Sequence, residues 1–200
     1  MEDQTLRFDT TALIVGAGPA GLAVAGCLKA RGVPFLLLEQ SDRVGSAWRG
    51  HYDRLHLHTS RGMSGLPGYP MPRSYPRYPS RDQVVAYLEQ YATHFGIEPY
   101  FNQRLRHAER VDGRWLARTA DRRYTADALV LATGYSRVPN VPVWPGMDVF
   151  TGEVLHSSKY RNGRPFAGQD VLVVGFGNSG GEIAVDLHEH GACPGIAVRG

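Results

Sequence analysis

With 200 residues, 42% of them apolar and 20% charged, the chain has the composition of a soluble globular protein and room for one large domain or one and a half doubly wound units. Its 22 Lys and Arg against 19 Asp and Glu leave a net charge of +3, too small and too scattered for a nucleic-acid surface. No apolar run approaches the ~20 residues that cross a bilayer, and Met1-Glu2-Asp3-Gln4 lacks the basic start of a signal peptide, so a cytoplasmic protein without membrane association is expected.

Ala12 to Val15 reads as a buried strand that breaks into Gly16-Ala17-Gly18-Pro19-Ala20-Gly21. Ala20 to Arg31 follows as a helix, with Leu22, Val24, Ala25 and Leu28 facing a sheet and Gly32 as its stop. Phe35 to Glu39 is the second strand of this βαβ entry. In such a unit the first glycine permits the tight strand-to-helix turn. The second lets backbone approach a pyrophosphate, and the third lets helix and strand pack closely. Unpaired N–H groups and the helix dipole hold the anion. Glu39, at the end of the second strand, suits an unmodified ribose diol and repels a 2′-phosphate, which favours FAD or NAD here.

From Ser41 to Pro79 the chain is rich in Pro, Gly and Tyr and is expected to be a long irregular excursion. Tyr69, Tyr75 and Tyr78 within it either line a route to a ligand or pack the loop, and Arg73, Arg77 and Arg81 read as solvated. His51, His56 and His58 complete no recognised metal spacing, so no metal is expected. Ser80 with Gln83 forms a capping box for a helix to His94, with Val84, Val85, Leu88, Tyr91 and Ala92 on one face and Gly96 beyond its end. Short runs at 99–106, 108–111, 115–119 and 124–126 read as a small antiparallel layer, with Asp112-Gly113 as a hairpin turn. Leu129 to Ala132 then reads as a buried parallel strand ending in Thr133-Gly134-Tyr135, at the sheet edge where ligands of open α/β folds gather.

After a Pro-rich linker over 138–145, a second glycine unit begins near Gln169: Gly175-Phe176-Gly177-Asn178-Ser179-Gly180, with Arg199 after Ile196-Ala197-Val198. Arg199 lies 19 residues past Gly180, as Glu39 lies 18 past Gly21, but offers the opposite charge and a fork suited to phosphate. NADP is therefore favoured at this second cradle. The two cysteines, Cys27 and Cys193, form no Cys-x-x-Cys pair, which disfavours a dithiol reductase.

The two glycine units, the Leu131 to Tyr135 segment, and Phe150-Thr151-Gly152-Glu153-Val154-Leu155-His156-Ser157-Ser158-Lys159-Tyr160 together resemble the class B flavin-dependent monooxygenases, whose Phe-x-Gly-x-x-x-His-x-x-x-Tyr fingerprint is matched at every fixed position. The final Tyr is similar to the flavin-containing and N-hydroxylating branch. Tyr52 to His58 and Leu66-Pro67 to Pro79-Ser80 are similar to the YUCCA-type subgroup, whose plant members oxidise indole-3-pyruvate.

The resemblance implies an α/β architecture: a Rossmann-like, three-layer FAD-binding fold with a small antiparallel β layer over 1–165, including the fingerprint, then the start of a Rossmann-like NADP-binding domain over 166–200. It implies FAD held by Gly16, Ala17, Gly18, Pro19, Ala20 and Gly21, by Glu39 and Gln40, by Ala47 and Trp48, and by Thr133 and Gly134, with His58 and Thr59 near the isoalloxazine. NADPH would lie on Gly175, Gly177, Asn178, Ser179, Gly180, Gly181 and Glu182, with Arg199 beyond. His58 stands where many flavin-containing monooxygenases have an Asn. His156 would couple NADP binding to movement, its alternative being a histidine satisfied by backbone. The implied chemistry is hydride transfer from NADPH to flavin, capture of O2 as a C4a-hydroperoxide, and transfer of one oxygen to a small organic substrate such as an aromatic 2-oxo acid, an amine or a sulfide. This needs no acid/base dyad. Two alternatives remain: an NADPH oxidase or flavin reductase that releases peroxide, and a catalytically silent nucleotide-binding piece, since the second unit stops at Gly200. Oligomeric state is not legible.

Overall fold

In a computed structural model the chain is described over residues 6–134 and 138–198. It divides into two compact units, one of residues 1–49 and 58–137, the other of residues 50–57 and 138–200. Residues 150–160, the fingerprint, fall in the second of these units together with the second glycine motif.

The first unit is built on β1 (Leu6–Val15), α1 (Pro19–Ala30) and β2 (Phe35–Leu38), followed by single helical turns α2 (Ser46–Arg49) and α3 (Arg61–Ser64) and by α4 (Arg81–His94). Strands β3 (His107–Val111), β4 (Arg114–Arg118) and β5 (Arg122–Leu131) complete a five-stranded sheet of order β2-β1-β5-β4-β3. β1 pairs parallel with β2 and with β5, setting Leu13 against Leu36 and Leu129. Leu13 is fully buried in a cluster with Leu38, Ala117, Tyr124 and Ala126. Because side chains alternate along a strand, Ala12 and Ile14 point to the opposite face, and they too are buried. A central strand covered on both faces explains the continuous apolar run that ends in the glycine loop.

The expected antiparallel strands are present as β3, β4 and β5 and extend the parallel part of the sheet. The expected segments at 124–126 and 129–132 are one strand, β5, which ends at Leu131 and pairs parallel with β1 on one side and antiparallel with β4 on the other. Periodicity could not reveal this, because one strand serves two kinds of neighbour. The segment at 99–106 is not a strand; it contributes a single bridge between Tyr100 and Leu38.

Local chemistry places α4 where its sequence says. Gln83 N–H donates to Ser80 Oγ and Ser80 N–H donates to Gln83 Oε1, the reciprocal capping box. All five expected apolar positions are buried, with Tyr87 beside them. The β3–β4 hairpin turns through Asp112 and Gly113, both at positive φ.

The second unit pairs β6 (Asp170–Val174) with β7 (Cys193–Ala197) in parallel across α5 (Asn178–Glu189). Its core holds Tyr52, Tyr160, Ile183, Leu187 and Ala192. Tyr52 arrives from the expected irregular excursion, whose 50–57 stretch is tied in by Asp53 N–H to the Arg161 carbonyl (2.8 Å), Asn162 Nδ2 to Asp53 Oδ2 (2.8 Å), and a two-pronged Arg54–Glu189 ion pair.

Candidate functional site

The first glycine loop joins β1 to α1. Gly16 has φ +107°, a region L side chains avoid, and a Cβ there would overlap the Ala132 carbonyl oxygen just past β5. A Cβ on Gly21 would overlap the Gly16 carbonyl oxygen. Gly18 differs: nothing lies within 4 Å of where its Cβ would be. Its glycine is thus not required by the protein's own packing, and the open space lies at the N-cap of α1, where Pro19 opens the helix. An anion on the helix start fits such a cradle.

Glu39 is 8% exposed and held in place. Ala17 N–H donates to its Oε2 at 2.7 Å, and the N–H and hydroxyl of Ser41 donate to Oε1 at 2.9 and 2.8 Å. A carboxylate has about four acceptor positions, so one on Oε2 is left for a ligand hydroxyl. The chain after Glu39 folds back on the same loop: Gly45 N–H donates to the Ala17 carbonyl, and α2, with Ala47 and Trp48, starts from Gly45. The sequence reading missed Ser41, whose role depends on this return. Gln40, Ala47, Thr133 and Gly134 are exposed and Trp48 is partly buried; Tyr135 lies outside the described residues. His58 and Thr59 are exposed ahead of α3, where the Thr59 and Ser64 hydroxyls hydrogen-bond at 2.7 Å.

The second glycine loop repeats this geometry. Gly175 has φ +106°, a Cβ on Gly180 would overlap the Gly175 carbonyl oxygen, and nothing lies within 4 Å of a Cβ on Gly177, the N-cap of α5. Asn178, Ser179, Gly180, Gly181 and Glu182 form the first turns of α5. Arg199 lies outside the described residues.

The fingerprint closes onto α5. Asp186, 3% exposed, accepts from the Tyr160 hydroxyl at 2.5 Å and from Gly163 N–H at 2.8 Å. Burial, and after it this carboxylate, pushes the Tyr160 hydroxyl far above the usual phenol range, so it remains a donor. A Cβ on Gly163 would crowd the Asp186 carbonyl, which explains the glycine three residues after Tyr160. Asp186 was missed in the sequence, although a carboxylate three past Ile183 on an apolar helix face is the signal that marks it. His156 caps the short turn at Ser157–Lys159: Ser158 N–H donates to its Nδ1 at 3.1 Å. That bond leaves the ring proton on Nε2.

Among the described residues no group of three or more His, Cys, Asp or Glu could hold a metal ion, and no helix is long and apolar enough to cross a membrane. Cys27, in α1, and Cys193, which opens β7, are free thiols of different units.

The sequence profile of the family described as pyridine nucleotide-disulphide oxidoreductase matches residues 13–199. A probable indole-3-pyruvate monooxygenase of Arabidopsis thaliana, YUCCA4, is 47% identical over 98% of this chain and 49% of its own length. The indole-3-pyruvate monooxygenase YUCCA1 of Oryza sativa subsp. japonica is 49% identical over 94% of this chain and 47% of its own. The chain thus spans about half the length of the curated relatives it matches. Among solved structures, the flavin-containing monooxygenase of Stenotrophomonas maltophilia superposes with a TM-score of 0.89 at 30% identity, covering 96% of this chain and 58% of that one. The chain therefore belongs to the pyridine nucleotide-disulphide oxidoreductase family and is related to the flavin-dependent monooxygenases.

Proposed function

We propose that the chain carries the FAD site and the start of the NADPH site of a monooxygenase that transfers one oxygen atom from O2 to a small organic substrate. The observation that carries this reading is the duplicated cradle, closed at its first and third glycines and open at its second, with a fixed carboxylate beside the first copy. The family match and the named activities of the relatives support it.

Bound FAD, reduced by NADPH, supplies the oxygen chemistry, and the protein's part is to bind, orient and exclude water. In this reading the N–H groups at the start of α1 hold the FAD pyrophosphate, and Glu39, oriented by Ala17 and Ser41, accepts from the ribose diol. Gln40, Ala47, Trp48, Thr133 and Gly134 border that site, with His58 and Thr59 on the flavin side. The start of α5, from Gly175 to Glu182, holds the NADPH pyrophosphate, and Arg199 takes the 2′-phosphate. His156, as the cap of its turn, sets the path of the fingerprint into Tyr160. The names of the relatives favour an aromatic 2-oxo acid as substrate.

The test is to purify the protein with FAD and NADPH and follow oxygen incorporation from labelled O2 against peroxide release. Label in the product, dependent on an aromatic 2-oxo acid, is the expected result. Stoichiometric peroxide with every substrate overturns the oxygenase reading in favour of an oxidase, and failure to retain FAD overturns the first cradle.

A further inference from the structure

The backbone of Glu39 is held from both sides: its N–H donates to the Tyr100 carbonyl at 2.9 Å, and Gln103 N–H donates to its own carbonyl at 2.8 Å. What remains to be set is the side chain, and Ser41 sets its Oε1 side. The Ser41 hydroxyl has one proton and three oxygens around it: Glu39 Oε1 at 2.8 Å, the Arg43 carbonyl at 2.9 Å, and the hydroxyl of Ser46, which opens α2. Ser46 lies 2.9 Å from the same Arg43 carbonyl. Two hydroxyl oxygens in contact need a proton between them. If Ser41 supplies it, the Ser41 oxygen faces the Glu39 carboxylate lone pair to lone pair. If Ser46 supplies it, the Ser41 proton stays with the carboxylate, a stronger acceptor than a carbonyl. The arrangement that satisfies Glu39 is therefore a chain of donors, from Ser46 to Ser41 to Glu39.

We propose that Ser46 is a positioning residue for FAD: it acts through Ser41, directing the single Ser41 proton to Glu39 Oε1 and so holding the carboxylate with the remaining acceptor position of Oε2 toward the ribose diol. This rests on the reading of Gly16 to Gly21 with Glu39 as the FAD cradle. A hydroxyl that accepts a hydrogen bond donates a stronger one. Without Ser46, the Ser41 proton has the Arg43 carbonyl as an alternative at almost the same distance as Glu39. Ser46 thus acts on the ligand without touching it.

The test is a fluorescence titration of the apoprotein with FAD, using the wild type, Ser46→Ala, Ser41→Ala and the double variant, with urea unfolding of each apoprotein recorded alongside. Ser46 is half-buried and alanine suits the first turn of a helix, so the fold is kept. Ser41→Ala is expected to weaken FAD about tenfold, the order of one hydrogen bond to a charged group, and Ser46→Ala about fivefold. In the Ser41→Ala background, Ser46→Ala is expected to cost nothing more, because the route to Glu39 is already cut. A serine that only braces the turn keeps its bond to the Arg43 carbonyl in that background and would lose the same factor again. Unchanged affinity in Ser46→Ala, or an equal loss in both backgrounds, overturns the role of Ser46. A wild-type apoprotein that takes up no FAD overturns the cradle reading instead, which separates the two failures.

Discussion

At the first cradle, residues that look alike in the sequence are under different constraints. Gly21 is fixed by its neighbour's backbone and Gly16 by both backbone angle and contact, whereas Gly18 meets nothing. Gly18 already has φ −84°, which alanine adopts without strain. Gly18→Ala should therefore change stability by less than about 1 kcal/mol, because a weaker N-cap and a less flexible unfolded chain nearly cancel. It should nonetheless weaken FAD binding at least about tenfold, since the added methyl stands where backbone must approach the phosphates. Gly21→Ala should lose about 1–3 kcal/mol of stability by forcing α1 off the loop. Denaturant unfolding with flavin-fluorescence titration checks both, and a Gly18→Ala protein that retains FAD normally would sink the assignment. The glycine spacing and Glu39 were legible because turn geometry and charge are local properties. Ser41 and Asp186 were not, because a loop that folds back and a strap across a helix decide what they touch.

Elements read well where the signal was short-range. The Ser80/Gln83 box placed α4, and Ser80→Ala should cost about 1 kcal/mol in the urea unfolding of the first unit, with no change in FAD affinity. An unchanged midpoint would mean that the apolar face alone fixes the helix start. The βαβ entry and the hairpin at Asp112-Gly113 were equally plain, one from the glycine-bounded apolar runs, the other from a turn that needs positive φ. Strand pairing was not. Tyr124 and Ala126 lie in one strand with Leu129, and nothing in that run announces that the partner is β4 for the first part and β1 throughout. The excursion at 41–79 was rightly marked as irregular, but its composition could not say that Tyr52 would enter the core of the second unit while Tyr69 packs on α4.

Tyrosine is the thread that runs through both units, and it gives the whole molecule an alkaline limit. In the first unit the Tyr87 hydroxyl accepts from Leu66 N–H and donates to the Tyr69 carbonyl, and the Tyr91 hydroxyl, in the space left by Gly26, donates to the Pro67 carbonyl. Burial raises both hydroxyls, Tyr91 to about 12, and raises Tyr124 in the sheet core as well. In the second unit Tyr52 and Tyr160 are raised by burial and then by Glu182 and Asp186. A phenol whose folded pKa lies above its unfolded value of 10.0 stabilises the fold fully below that value and loses the contribution as pH rises toward the folded one. Stability should thus be flat through neutral pH and fall from about pH 10. In the first unit the decline should run to about pH 12 as Tyr91 ionises. The loss should be cooperative, because an ionised Tyr91 faces the Pro67 carbonyl and releases the 66–70 loop from α4. Tyrosinate absorbance followed with circular dichroism checks this: ionisation of the buried phenols should coincide with loss of structure. Titration near pH 10 with the fold intact would show that these hydroxyls reach solvent without unfolding. Tyr91→Phe should move the onset to higher pH while losing about 1 kcal/mol at neutrality, the net worth of one hydrogen bond.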